Sequence, residues 1–173
     1  KKLGNSMKNV IIINALIPFL FIYGKERGEE RYCDKALRWL EELKAEVEGF
    51  GGEVLPVACD VTDVEQINHV VVQCVERFGG IDILINCAQG AMQYREINDV
   101  DEAYTLEAFE SGPLASMMFM KACFPYLKES GHGRIINTAS AAGYDGNAGF
   151  GAYGPQEGDG KATVSAEEQQ LSL

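Results

Sequence analysis

The sequence has few basic residues and only two histidines. Fifteen Lys and Arg stand against 26 Asp and Glu, which gives a net charge of −11 over 173 residues. Nucleic-acid binding depends on Lys and Arg side chains that neutralise phosphates, so this deficit argues against a nucleic-acid partner. It disfavours anionic membrane surfaces for the same reason. Only His69 and His132 provide imidazole groups, and we therefore expect no metal site.

Paired cysteines are also absent. The number of cysteines is odd and no two are spaced as C-x-x-C, the full set being Cys33, Cys59, Cys74, Cys87 and Cys123. This pattern argues against a disulfide framework and against a structural zinc site. We expect reduced, buried thiols in a protein of the cytoplasm.

A hydrophobic run long enough to cross a membrane is missing. The longest apolar run covers residues 9–23, whereas a spanning helix needs about 20 residues. No small-residue cleavage site follows the run, so we do not expect a secretory signal either. The β-branched residues 10–13 favour a buried strand, but the length of the run also permits a helix kinked at Pro18.

The rest of the composition is that of a globular protein. Hydrophobic residues make up 46% and charged residues 24%, so a packed core is expected. We predict a single domain over residues 7–173, with an atypical segment at 7–48. Residues 1–6, which precede Met7, are expected to be a vector remnant.

Helix and strand signals alternate along most of the chain. Apolar residues at helical spacing predict a first helix that follows the charged residues 24–31 and ends at the glycines beginning with Gly49. Further helices are predicted over 64–79, with Ile67, Val71, Cys74 and Val75 on one face, and over 102–129; strands are predicted over 53–60, 81–86 and 133–140. This alternation predicts an α/β fold with a three-layer, Rossmann-like parallel sheet. Residues 154–173 are polar and predict a loop or a frayed tail.

Polar and small residues follow each of the three predicted strands. The residues at the three strand ends are Cys59-Asp60-Val61, Asn86-Cys87-Ala88-Gln89-Gly90 and Thr138-Ala139-Ser140. Asn, Asp and Ser also end strands simply because they form turns. Ligands of parallel sheets bind outside the carboxyl ends of the strands, so three such ends together predict a binding site there.

The same segments carry a family resemblance. ACDVTD at 58–63, GGIDILINCAQG at 79–90 and GRIINTAS at 133–140 resemble the short-chain dehydrogenase/reductase family. The family's catalytic serine lies thirteen residues before its catalytic tyrosine, and Ser140 and Tyr153 have that spacing. The resemblance covers about residues 50–153. It implies a Rossmann-type sheet, NAD or NADP as cofactor, and a small-molecule alcohol or ketone as substrate.

The resemblance also implies roles for particular residues. Tyr153 would act as the acid or base, and Ser140 would hold the substrate oxygen. The implied cofactor-binding residues are Asp60 at the adenine amino group, Val61 beside the adenine ring, Asn86 and Ala88 along the ribose, and Cys87 and Gln89 in the same motif. Members of the family often form dimers or tetramers, so a homo-oligomer is expected.

Three positions depart from the family pattern. The family has a lysine four residues after the tyrosine, where this chain has Glu157; Lys161 lies eight residues on. The family's helix-borne asparagine aligns with Gly112, and the expected phosphate-binding loop is represented only by Gly24 and Gly28.

These departures leave a second hypothesis, a non-catalytic, truncated or chimeric Rossmann-like protein without a working cofactor site. The first 45 residues resemble a helical stretch of an uncharacterised bacterial family. A complete α/β enzyme domain can need about 200–250 residues. We therefore expect this chain to be a fragment, a chimera or an incomplete chain.

Overall fold

The computed structural model of the chain describes residues 10–13, 30–88, 97–140 and 164–165. The strands are β1 (Val10–Ile13), β2 (Ile83–Asn86), β3 (Arg134–Asn137) and β4 (Val164–Ser165). The helices are α1 (Glu30–Gly49), α2 (Val64–Phe78), α3 (Glu102–Phe109) and α4 (Ala115–Ser130). A short 3₁₀ turn covers Ile97–Asp99, and a π-helical turn at Glu110–Leu114 joins α3 to α4. None of these described helices is long and apolar enough to cross a membrane.

The four strands form one sheet in the order β1-β2-β3-β4. The first three are parallel and in register, so that Ile13 lies opposite Asn86, and Asn86 lies opposite Asn137. The predicted α/β fold with a parallel sheet is therefore confirmed, and residues 10–13 are a strand rather than part of a helix.

The prediction of a loop or tail at the C-terminal end is wrong for β4. This strand pairs antiparallel with β3, and Val164 lies opposite Ile135. The reason is physical: β3 would otherwise present unpaired backbone groups along its outer edge, and a β-branched residue such as Val164 suits a strand that pairs with them.

The strand predicted over 53–60 is also absent. The chain over residues 52–60 has no regular secondary structure and pairs with none of the described strands. An apolar run becomes a strand only where a neighbouring strand accepts its backbone hydrogen bonds, and Pro56 has no N–H to donate. Val61, which follows this segment, is nonetheless buried in the main core.

The main core lies between the helices α2 and α4 and the sheet. The predicted face of α2 is confirmed, because Ile67, Val71 and Cys74 are buried and Val75 packs against the same core. The buried residues of α4 recur every four positions: Ala115, Phe119, Cys123 and Leu127. Helix α4 packs against α2 and over β2 and β3, where Leu84 and Ile135 complete the core.

The long helix predicted over 102–129 is interrupted in its middle. The π-helical turn contains Pro113, whose missing N–H cannot bond to the carbonyl of Phe109 four residues earlier. The amide of Ala115 instead donates to the carbonyls of Glu110 and Gly112. Before this turn, Tyr104 and Ala108 are buried in a small cluster with Val100 that is separate from the main core.

The two core thiols are held in their neutral form. Burial and the neighbouring Cys74 raise the pKa of Cys123 to about 12, and burial raises the pKa of Cys74 as well. Because the thiolate is the nucleophile, we expect neither to react with iodoacetamide at pH 8 in the native protein, and both to react in denaturant. Peptide mass spectrometry after timed alkylation measures this. Native labelling of Cys123 at the rate of the unfolded chain would contradict the prediction.

Candidate functional site

Two of the three predicted strand ends meet at one edge of the sheet. Asn86 and Asn137 are register partners at the carboxyl ends of β2 and β3. The backbone amide of Thr138 donates a hydrogen bond of 2.9 Å to the carbonyl of Asn86, which continues the pairing one step beyond the strands. Residues 86–88 and 138–140 therefore leave the sheet side by side. Cys87, Ala88 and Ser140 are all half-buried there.

A chain of polar side chains crosses this edge. The amide nitrogen Nδ2 of Asn86 donates to Oδ1 of Asn137 at 2.8 Å. Nδ2 of Asn137 in turn faces Sδ of Met120 at 3.7 Å. Within the described part of the chain, Oδ1 of Asn86 is buried and accepts no hydrogen bond. An acceptor in this condition is uncommon, since most buried polar atoms have a partner.

Asn137 is a residue of this edge that the sequence analysis did not identify. A signal for it exists in the sequence, since ILIN at 83–86 and RIIN at 134–137 both end in asparagine. In parallel strands of equal length and matched register, two such asparagines lie next to each other.

The third predicted strand end forms a hydrogen-bonded loop instead. Oδ1 of Asp60 accepts hydrogen bonds from the backbone amide of Thr62 at 2.9 Å and from its hydroxyl at 2.7 Å. The amide of Asp60 donates to the side chain of Gln66 at 2.9 Å, which ties the loop to α2. The loop is therefore fixed without a strand, and the Asp60 side chain is exposed.

Asp63 caps the helix that follows this loop. Its Oδ1 accepts hydrogen bonds from the backbone amides of Glu65 and Gln66. The hydrogen bond from the side chain of Gln66, together with these two amides, lowers the pKa of the Asp63 carboxyl. The cap gives α2 a defined start directly after the residues expected to face the adenine.

The loop also contacts the core that lies beneath the sheet edge. Val61 is buried in that core, and Cys59 and Ala88 pack against it. Burial, followed by the charges of Asp60 and Asp63, raises the pKa of Cys59 to about 11, so this thiol is neutral at physiological pH. The loop and the end of β2 thus rest on one shared apolar cluster.

Several residues of the predicted site lie outside the described part of the chain: Gln89, Tyr153, Glu157, Lys161, Gly24 and Gly28. Gly112, which occupies the position of the family's asparagine, is buried in the π-helical turn. Among the residues that the structure describes, no group of three or more His, Cys, Asp or Glu is arranged to hold a metal ion.

Comparison with known proteins shows which solved structures share this fold and to which family the chain belongs. The chain superposes on the crystal structure of an NADH-dependent reductase responsible for alginate metabolism with a TM-score of 0.69, over 89% of this chain and 68% of that one, at 24% identity. The short-chain dehydrogenase family profile matches residues 25–156. The chain belongs to the short-chain dehydrogenase family. Residues 1–48 also match the profile of a family described as a protein of unknown function.

Two further relatives share more sequence. A 12α-hydroxysteroid dehydrogenase from a Clostridium species is 34% identical over 136 residues, which cover 76% of this chain and 52% of that enzyme. A short-chain dehydrogenase from Mycobacterium avium is 30% identical, with a TM-score of 0.60, over 68% of this chain and 42% of that structure. The chain therefore spans about half the length of this 12α-hydroxysteroid dehydrogenase, and less of several other relatives that it matches.

Proposed function

We propose that this protein, or the longer protein to which the chain belongs, is an NAD(P)-dependent oxidoreductase that interconverts an alcohol and a ketone. The observation that carries the proposal is the pairing of Asn86 with Asn137 and Thr138 at the carboxyl edge of the sheet, in a chain of the short-chain dehydrogenase family. This edge is where ligands of parallel α/β sheets bind.

The residues at this edge fit a dinucleotide. Asn86 offers a buried carbonyl oxygen to which no described residue donates a hydrogen bond, and a ribose carries hydroxyl groups that could donate one. Ala88 has a small, half-buried side chain that a sugar could approach, and the exposed carboxylate of Asp60 could accept a hydrogen bond from an adenine amino group. We propose that these residues, with Val61, Cys87 and Gln89, hold the cofactor. When bound, the cofactor gives or takes the hydride.

The cofactor carries the hydride, so side chains of the protein must transfer the proton. We propose that Tyr153 exchanges it with the substrate hydroxyl while Ser140 holds the substrate oxygen. A tyrosine has an ordinary pKa near 10, so it becomes an effective base at neutral pH only beside a positive charge. Glu157, four residues after Tyr153, would act in the opposite direction, and Lys161 would provide the charge only if the chain folds back toward Tyr153.

The proposal extends to location and assembly. The described cysteines Cys59, Cys74, Cys87 and Cys123 are free thiols, which supports a cytoplasmic protein, since disulfides are rare in that compartment. Exposed apolar side chains on α3, the π-helical turn and α4 support a homo-oligomer in which a second copy of the chain covers them: Leu106, Phe109, Leu114 and Met117. Light scattering on the purified protein measures the oligomeric state.

Cofactor binding tests the function directly. Titration of the purified chain with NADH and with NADPH, followed by cofactor fluorescence, should give saturable binding of at least one of them. The difference between the Kd values for NADH and NADPH then shows whether the protein prefers NAD or NADP. Hydride transfer is then followed by absorbance with a series of secondary alcohols and ketones. Absence of binding at millimolar concentrations of both cofactors would favour the alternative, a non-catalytic, truncated or chimeric Rossmann-like protein.

A further inference from the structure

The side chains of Met120, Asn137 and Asn86 form a directed chain that runs from α4 across β3 to β2. A thioether sulfur can accept a hydrogen bond but cannot donate one. Sδ of Met120 therefore favours the amide nitrogen of Asn137 rather than its oxygen. The oxygen of Asn137 consequently points at Asn86, where it accepts the hydrogen bond of 2.8 Å from Nδ2.

The direction of this chain determines which side-chain atom of Asn86 is hydrogen-bonded to Asn137 and which is not. Since Nδ2 of Asn86 is engaged by Asn137, its carbonyl oxygen is turned away from that partner. This oxygen is buried and receives no hydrogen bond from the residues that the structure describes, and Asn86 has only 3% of its surface exposed. An unsatisfied buried acceptor destabilises the fold, whereas an apolar residue of the same shape would not. Native structures contain few such groups, so a buried acceptor whose direction is fixed in this way calls for an explanation, and a hydrogen-bond donor from a bound ligand is one.

We propose that Asn137 is a positioning residue that orients the amide of Asn86, so that Oδ1 of Asn86 serves as an acceptor for a hydroxyl or N–H group of a bound ligand. The identity of that ligand as a nicotinamide dinucleotide rests on the proposed function. The orientation of the amide does not, because it follows from contacts within the chain.

The orientation is tested on the full chain by substituting Asn137. N137D keeps an oxygen acceptor for Nδ2 of Asn86, whereas N137L has nearly the same size and no acceptor; N137A serves if the leucine variant does not fold. The side-chain amide signals of Asn86 are followed in ¹⁵N-resolved NMR spectra and assigned by their loss in N86D. We expect slow solvent exchange in the wild type and in N137D, and exchange faster by about tenfold in N137L, as the loss of one hydrogen bond implies. Unchanged exchange in both N137L and N137A would overturn the proposal.

The ligand is tested by titrating the same variants with NADH and NADPH. We expect N137D to bind with nearly the wild-type Kd, and N137L to bind about tenfold more weakly, since Asn86 can then rotate. Normal affinity in N137L despite a freed Asn86 amide would overturn the positioning role. If the wild type binds neither cofactor while the NMR signals respond as expected, the proposed function fails and the orientation of Asn86 by Asn137 stands.

Discussion

Replacing Phe119 by alanine is expected to lower the free energy of unfolding by about 3–5 kcal/mol. Phe119 is 1% exposed and lies in the main core, on the face of α4 that packs against α2 and the sheet. The substitution removes a buried ring and leaves a cavity, and both effects act in the same direction. A loss of this size is a large part of the 5–15 kcal/mol that stabilises an ordinary domain, so the variant should be largely unfolded at modest urea concentrations.

Equilibrium unfolding in urea, followed by circular dichroism, measures this difference. Lys121→Ala is the matched control, because Lys121 lies on the same helix two residues later and its side chain is exposed. The control is expected to change the free energy of unfolding by no more than about 0.5 kcal/mol. If the two variants unfold at the same urea concentration, Phe119 does not anchor α4 on the core.

Replacing Ser140 by alanine, or Tyr153 by phenylalanine, is expected to reduce turnover by about 10²–10⁴-fold. This prediction follows from the proposed function, in which the hydroxyl of Ser140 holds the substrate oxygen and Tyr153 transfers the proton. Neither hydroxyl is proposed to contact the cofactor, so the affinity for NADH or NADPH should stay close to that of the wild type. The loss should therefore fall on kcat and not on cofactor binding.

Steady-state kinetics with the preferred cofactor and a reactive secondary alcohol provide the measurement. Ser130→Ala is the matched control. The hydroxyl of Ser130 donates to the carbonyl of Leu127 at the carboxyl-terminal end of α4, which precedes the amino end of β3 and not the carboxyl edge of the sheet. Turnover of the control should equal that of the wild type. Full activity in Tyr153→Phe would refute the proposed proton transfer, and it would direct attention to another acid in the chain.

The helices and the central strands could be predicted from the sequence because their signals are local. The apolar face of α2 is visible in the spacing of Ile67, Val71 and Cys74, and its start and end in Asp63 and Gly79. The strand expected over 53–60 could not be judged in this way. Whether an apolar run forms a strand depends on a neighbour that is distant in sequence, and no described strand pairs with this segment.

The candidate site was predictable in its strand ends and not in its side-chain pairs. Asn86 and Ser140 follow apolar runs, so their place at the carboxyl edge follows from the parallel sheet. The partnership of Asn86 with Asn137 depends on register, and the contact with Met120 depends on how α4 lies across β3. Both are tertiary properties, which no residue pattern within one segment contains.

The π-helical turn at Glu110–Leu114 bears on local unfolding, because it divides the stretch from Glu102 to Ser130 into two helices. The π-helical turn separates α3 from α4, and the two helices bury their apolar residues in different clusters. Tyr104 and Ala108 accordingly pack into their own small cluster, while Ala115 and Phe119 belong to the main core. Because α3 and α4 pack into different clusters, we expect them to open as separate cooperative units. Helix α3 should therefore exchange its amide hydrogens through local opening, at a free energy well below that of global unfolding, whereas α4 should exchange only when the whole core unfolds.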